Sequence, residues 1–109
     1  MSTTLQYLDQ AKERLHLPSD YALSKKLGVT TSAISNYRSG RSRIDDDVAL
    51  KVAQILGLNP LEVIAAANVE RAKTDEMRDM WRGLMEKFST GFNAFISAGF
   101  PLQKRILTR

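Results

Sequence analysis

The sequence predicts an all-α fold of five short helices followed by a C-terminal helical segment, and three observations support this prediction. Residues that begin or end helices recur along the whole chain. Apolar residues recur at intervals of three and four positions rather than two. The chain has no alternating run of β-branched residues and no Asn-Gly or Asp-Gly pair, so nothing indicates a strand.

The composition excludes several classes of protein. The 109 residues are 43% hydrophobic and 26% charged, which suits a folded chain rather than a disordered one. The 16 Lys and Arg exceed the 12 Asp and Glu, giving a formal net charge of +4. Because there is no cysteine, disulfides, thiol catalysis and cysteine-type zinc sites are excluded. No apolar run approaches the ~20 residues of a membrane span.

Caps and breakers delimit the first two helices. The first is predicted from about Thr4 to Leu15, behind a capping box that begins at Thr3. Pro18 prevents its continuation, and Ser19 caps the second helix, which spans about Asp20 to Leu27. Gly28 then follows, where a left-handed backbone conformation costs little.

Three further helices are predicted. The third is capped by Thr30 or Thr31 and ends near Ser39. The fourth starts at the triplet Asp45-Asp46-Asp47, which we interpret as a helix start favoured by the helix dipole rather than as a metal site. The fifth opens with Asn59-Pro60-Leu61-Glu62, where Glu62 is positioned to reach back to the Asn59 cap.

The second and third helices have the residues of a helix-turn-helix motif. Two helices that cross steeply need a small residue at the contact, a glycine at the turn and a branched anchor on the second helix. Ser24, Gly28 and Ile34 have the right offsets for these roles. The outward face of the third helix then carries short hydrogen-bonding side chains suited to base edges in a major groove. The predicted base-contacting residues are Thr31, Ser32, Ser35 and Asn36.

Polar and basic residues follow this face immediately and are suited to contacts with DNA phosphates. The predicted phosphate-contacting residues are Tyr37, Arg38, Arg41, Ser42 and Arg43. Two alternatives remain open at this point. Tyr37 can equally be a residue at the edge of the core, and one of the three arginines can be a solvated surface residue.

The motifs resemble those of the Cro and phage-repressor type of helix-turn-helix proteins, related to xenobiotic-response-element-like regulators. The resemblance spans about Leu5 to Ala67 and rests on Leu23-Ser24, Leu27-Gly28-Val29, Ile34-Ser35-Asn36-Tyr37 and Ser39-Gly40-Arg41. It implies a five-helix phage-repressor-like domain and a transcription regulator that binds palindromic operators as a dimer. The family usually has Ala at the position of Ser24. It often has a phosphate-binding Gln at the position of Asp20, and we do not transfer that contact to Asp20.

The C-terminal part carries a long apolar stripe. We expect residues 1–68 to form the DNA-binding domain, 69–73 a joint, 74–100 a helical dimerisation segment and 101–109 a basic tail. The predicted dimer-interface residues are Met77, Trp81, Leu84, Phe88, Phe92 and Phe95. Burying this stripe against a second copy would remove a large apolar patch and supply two-fold symmetry. The alternative is that the helix folds back on its own globule.

Together these observations predict a phage or prophage repressor that binds double-stranded DNA at a palindromic operator as a homodimer. Two alternatives are an antitoxin-like or adaptor protein whose C-terminal helix binds another protein, and a phage or plasmid replication or structural DNA-binding protein. A nucleophile would need an activating base, and His16 is the single histidine, so we expect no enzyme. We expect no cofactor, metal, membrane or small-molecule partner. The expected location is the bacterial cytoplasm, at the nucleoid.

Overall fold

The computed structural model describes residues 3–97, with side chains described through residue 90. Six α-helices occupy this range and no strand lies within it, which confirms the all-α prediction. The helices are α1 (Thr4–Arg14), α2 (Asp20–Leu27), α3 (Thr31–Ser39), α4 (Asp46–Leu56), α5 (Pro60–Arg71) and α6 (Asp75–Ser97).

The predicted helix starts are confirmed by their caps. Thr3 and Gln6 form a complete capping box at the start of α1. The Ser19 and Thr30 side chains accept the backbone N–H groups of the third residues that follow them, at 3.1 and 3.0 Å. Asp45 accepts the Val48 N–H at 2.9 Å, so the acidic triplet begins α4. Each cap satisfies a backbone donor that has no partner within its own helix.

One core joins the first five helices and part of the sixth. α5 packs against α1, α4 and α6, while α2 packs against α3 and α4. The largest fully buried apolar side chains are Leu8, Leu23, Leu27, Ile34, Ile44, Val48, Val52 and Val63. They come from α1 to α5 and from the loop before α4, where Ile44 is part of the core.

Glu62 does not complete a capping box at the start of α5, as the sequence suggested. The Asn59 side chain accepts the N–H of Leu61, but the buried Glu62 carboxylate accepts the hydroxyl hydrogen of Tyr7. Burial, together with the neighbouring Glu62 carboxylate, raises the pKa of Tyr7 well above its usual value. A buried phenol and a buried carboxylate each need a hydrogen-bond partner, and here they satisfy each other between α1 and α5.

α6 folds back onto the globule along part of its length. Met85 is only 3% exposed, and Trp81 and Phe88 pack against the same core. This is the alternative arrangement that the sequence left open for the apolar stripe. α5 continues to Arg71, so it includes the first part of the segment expected to be a joint. Met77 and Met80 remain 45% exposed on α6.

We expect the Tyr7→Phe substitution to lower the free energy of unfolding by about 1–3 kcal/mol, because it leaves a buried carboxylate without its donor. Tyr21→Phe is the matched control, since Tyr21 is 60% exposed and its hydroxyl is not needed as the donor to a buried carboxylate. Urea titrations followed by circular dichroism measure both changes. Equal effects of the two substitutions would show that the buried pair does not contribute in this way.

A second comparison tests the docking of α6. Met85→Ala should lower the free energy of unfolding by about 2–5 kcal/mol through the cavity that it creates. Met80→Ala removes the same atoms from an exposed position and should change the value by less than about 0.5 kcal/mol. The measurement uses a submicromolar protein concentration, at which self-association contributes little to the free energy of unfolding. If Met80→Ala lowered the free energy of unfolding as much as Met85→Ala, the face of α6 that packs on α5 would be different from the one described here.

Candidate nucleic-acid interface

The turn between α2 and α3 is fixed by glycine and by a lysine from α4. Gly28 has φ of 70°, a left-handed conformation that ends α2. The Lys51 ammonium donates a hydrogen bond to the Leu27 carbonyl oxygen at 2.9 Å. A Cβ atom at position 28 would lie 2.8 Å from the Lys51 nitrogen. A side chain here would therefore strain the backbone and displace the lysine that satisfies the end of α2.

The contact between α2 and α3 has the predicted residues. Ser24 is buried, and its hydroxyl donates to the Tyr21 carbonyl oxygen at 2.6 Å within α2. Its small side chain allows α3 to approach, while Ile34 is fully buried in the core. Val29 packs partly buried at the turn. Ile34 thus fixes the rotation of α3 about its own axis.

This rotation exposes the polar face that the sequence predicted. Thr31, Ser32 and Ser35 are exposed, and Asn36 is half-buried beside them. We call these four residues the reading face. The backbone carbonyl of Asn36 accepts the N–H groups of residues 41 and 42 at 3.0 and 3.3 Å. The chain after α3 is therefore folded back against the end of this helix.

The predicted phosphate-contacting residues at the end of α3 and after it differ in their exposure and in their contacts with the rest of the chain. Arg41 and Ser42 are exposed. Arg43 donates from Nη1 to the Gly40 carbonyl oxygen at 2.9 Å, and its Nε lies 3.5 Å from Oε1 of Glu70. Tyr37 is half-buried against the core, where burial and the Asp45 carboxylate raise its pKa. Tyr37 thus has the position at the edge of the core that the sequence left open.

Arg38 is held by two carboxylates of its own chain. Its Nε and Nη2 donate to the two oxygens of Asp20 at 2.8 and 2.9 Å, and Nη2 also donates to Asp9 at 2.8 Å. The Lys12 nitrogen lies 3.2 Å from Asp20. The hydrogen bond from Arg38 holds the pKa of Asp20 below its usual value, with Lys12 acting in the same direction and burial opposing both. These contacts connect α1, the start of α2 and the end of α3.

Sequence reasoning also missed two residues at the C-terminal end of α5 that position the interface. The Glu70 carboxylate accepts the N–H and the hydroxyl hydrogen of Thr4 at 2.9 and 2.6 Å. Arg71 donates to the Ile44 carbonyl oxygen at 2.7 Å. The C-terminal end of α5 therefore holds both the start of α1 and the loop after α3. The sequence offers no signal for these contacts, because their partners are far apart along the chain.

Within residues 3–97, none of the helices combines the length and the apolar character that a membrane-spanning segment needs. The same part of the chain offers no cluster of metal ligands. Its acidic residues and histidine form no group of three that could hold a metal ion.

Comparisons with known proteins agree with this geometry. A family model described as helix-turn-helix matches residues 13–63, which include α2, the turn and α3. The chain is also 30% identical over 87 residues to a protein of Pseudoalteromonas phage PM2 named uncharacterized protein Gp-c, an alignment that covers 75% of this chain and 94% of that protein. No solved structure matches. The chain belongs to the Cro and phage-repressor type of helix-turn-helix family and is a DNA-binding regulator.

Proposed function

We propose that this protein is a phage or prophage repressor that binds an inverted-repeat operator as a homodimer. The observation that carries this proposal is the reading face: four short, uncharged, hydrogen-bonding side chains on the solvent side of α3, with Ile34 buried behind them. Such a helix fits the major groove, where each base pair presents its own pattern of donors and acceptors. The similarity to a bacteriophage protein supports the phage setting.

Within the reading face, the residues divide by chemistry. Asn36 carries an amide that can both donate to and accept from adenine, while Thr31 offers a hydroxyl and a methyl group. Ser32 and Ser35 provide further hydroxyls at the exposed surface. These side chains would select the sequence of the operator. Arg41, exposed just beyond α3, would contact phosphate and fix the position of the protein on the duplex.

The dimer proposal rests on an apolar edge of α6 that the described residues leave partly exposed. Met77, Met80 and Leu84 are spaced three and four residues apart, so they follow one another along the helix. Two of them are 45% exposed, whereas Trp81 and Phe88 on the adjoining side pack against the core. The side chains of Phe92 and Phe95, also predicted at the interface, lie outside the described residues. Pairing of two such edges would bury apolar surface and create the two-fold axis that an inverted repeat requires.

Gly83 gives this edge further support. It lies within α6, where glycine costs about 1 kcal/mol relative to alanine. A Cβ atom at this position would meet no atom of the described chain within 4 Å. The packing among the described residues therefore does not require a glycine there. A second helix approaching closely beside Met80 would favour one, because the missing side chain lets two backbones come together.

Random-site selection followed by fluorescence anisotropy tests the reading face. Selection should return an inverted repeat with half-sites about 34 Å apart, or a multiple of that distance. Asn36→Ala should reduce discrimination at one base pair per half-site by about 1–3 kcal/mol.

Arg41→Ala should instead weaken binding to all sequences alike and reduce the slope of log affinity against log salt by about 1 per subunit.

Arg82→Ala is the matched control for Arg41→Ala, because it removes the same charge from an exposed position on α6. If Arg82→Ala reduced the salt slope as much as Arg41→Ala, net charge rather than a local phosphate contact would explain the effect. Selection that yields no consensus would contradict the repressor proposal and favour a structural DNA-binding role.

Sedimentation equilibrium tests the dimer. The wild-type protein should be dimeric at micromolar concentration, and Met80→Glu should make it monomeric by placing a charge in an apolar interface. Leu61→Glu is the matched control, since Leu61 is an exposed apolar residue on α5 with 48% of its surface accessible. A wild-type monomer would remove the dimer proposal. Dissociation by Leu61→Glu but not by Met80→Glu would move the interface from α6 to α5.

A further inference from the structure

Arg38 borders the reading face. Thr31, Ser35 and Arg38 are spaced four and three residues apart on α3, so Arg38 continues the edge that the other two begin. An arginine at this place would ordinarily be expected to contact a phosphate beside the groove. The structure instead directs its guanidinium towards the start of α2 and towards α1, where two carboxylates hold it.

The geometry of this contact leaves little of the Arg38 charge for an external anion. Asp20 accepts from both Nε and Nη2, which is the bidentate geometry that gives strong arginine–carboxylate pairs. Asp9 accepts from Nη2 as well. Together with Lys12, this group has two positive and two negative charges, so its net charge is zero. We call these four residues the ion cluster.

We propose that Asp20 limits the affinity of this protein for DNA by holding Arg38 away from the phosphate backbone. This inference rests on the proposed reading face, because it requires α3 to lie in the groove. While Asp20 holds Arg38, this arginine positions the end of α3 and neutralises no phosphate.

The consequence concerns selectivity as well as affinity. Phosphate contacts strengthen binding to every sequence, whereas contacts to base edges strengthen binding only to the operator. A protein that withholds one phosphate contact per subunit binds all DNA less tightly. Its residence on any stretch of DNA then depends more on the reading face, so the ion cluster tunes the balance between the two kinds of contact.

Asp20→Asn provides the test, because the amide keeps the shape and one acceptor while removing the charge. At low salt, the affinities for operator and non-operator DNA should each rise roughly fivefold per subunit, which corresponds to one exposed ion pair in each subunit. The plot of log affinity against log salt should steepen by about 1 per subunit, since one more phosphate is neutralised. Asp9→Asn should act in the same direction but less, because Asp9 accepts only one hydrogen bond from Arg38.

The Arg38→Gln background separates this account from a simple change of net charge. There, Asp20→Asn should not steepen the salt dependence, because no arginine is released. Equal steepening with and without Arg38, or no steepening by Asp20→Asn when Arg38 is present, would overturn the proposal. Thermal unfolding confirms that each variant is folded at the assay temperature, and Asp9→Asn carries the test if Asp20→Asn does not fold.

The results that would contradict the proposed function differ from those that would contradict the role of Asp20. If the wild-type protein showed no sequence preference, and Asn36→Ala changed nothing, the reading face would be wrong irrespective of the salt slopes. If those experiments supported the reading face while Asp20→Asn left the salt slope unchanged, only the role of Asp20 would be lost.

Discussion

The orientation of the proposed reading face depends on the burial of Ile34. A helix has a single rotation about its axis that buries a given residue, and the burial of Ile34 among the side chains of the core fixes that rotation for α3. The opposite side of α3 is then committed to solvent, and the chain places short uncharged residues there. Polar residues on this side need no internal partners, because water satisfies them, and in the proposed complex base edges would replace that water. The core packing and the proposed recognition chemistry therefore lie on opposite sides of one nine-residue helix.

Side chains from distant parts of the chain hold α3 and the loop after it. Lys51 from α4 satisfies the end of α2, and Arg71 from α5 holds the carbonyl of Ile44. Glu70, next to Arg71, connects the start of α1 to Arg43. α6 in turn packs on α5, the helix that carries Glu70 and Arg71. Such contacts position α3 and the loop after it from outside the proposed reading face.

Local signals in the sequence predicted the helices and the turn. The caps at Thr3, Ser19 and Asp45 depend on neighbouring residues, so their hydrogen bonds could be predicted from spacing alone. The left-handed conformation of Gly28 was equally local. Long-range polar contacts could not be predicted in this way. Glu62 looked like a capping residue, yet Tyr7 lies 55 residues away along the chain and is its partner.

The same distinction applies to the site. The exposure of Thr31, Ser32 and Ser35 follows from helical spacing relative to Ile34, and spacing is readable in the sequence. The hydrogen bonds from Arg38 to Asp20 and Asp9 could not be predicted in this way, because they depend on how α1, the start of α2 and the end of α3 meet in the fold. The apolar stripe on α6 was predicted to form a dimer interface, yet its residues Trp81 and Phe88 pack against the core. Its division into a side packed on the core and an exposed edge depended on how α6 lies against α5, which no local pattern encodes.

The central claim is that the solvent side of α3 is the surface that reads DNA. At 12.2 kDa the protein is small enough for amide chemical shifts to be followed during titration with the selected operator. The account predicts that the largest shift changes cluster at residues 31–36 and in the following turn. Weaker changes are expected on the side of α4 away from this surface. Changes confined to α4 and α6, with residues 31–36 unaffected at saturating DNA, would contradict the account.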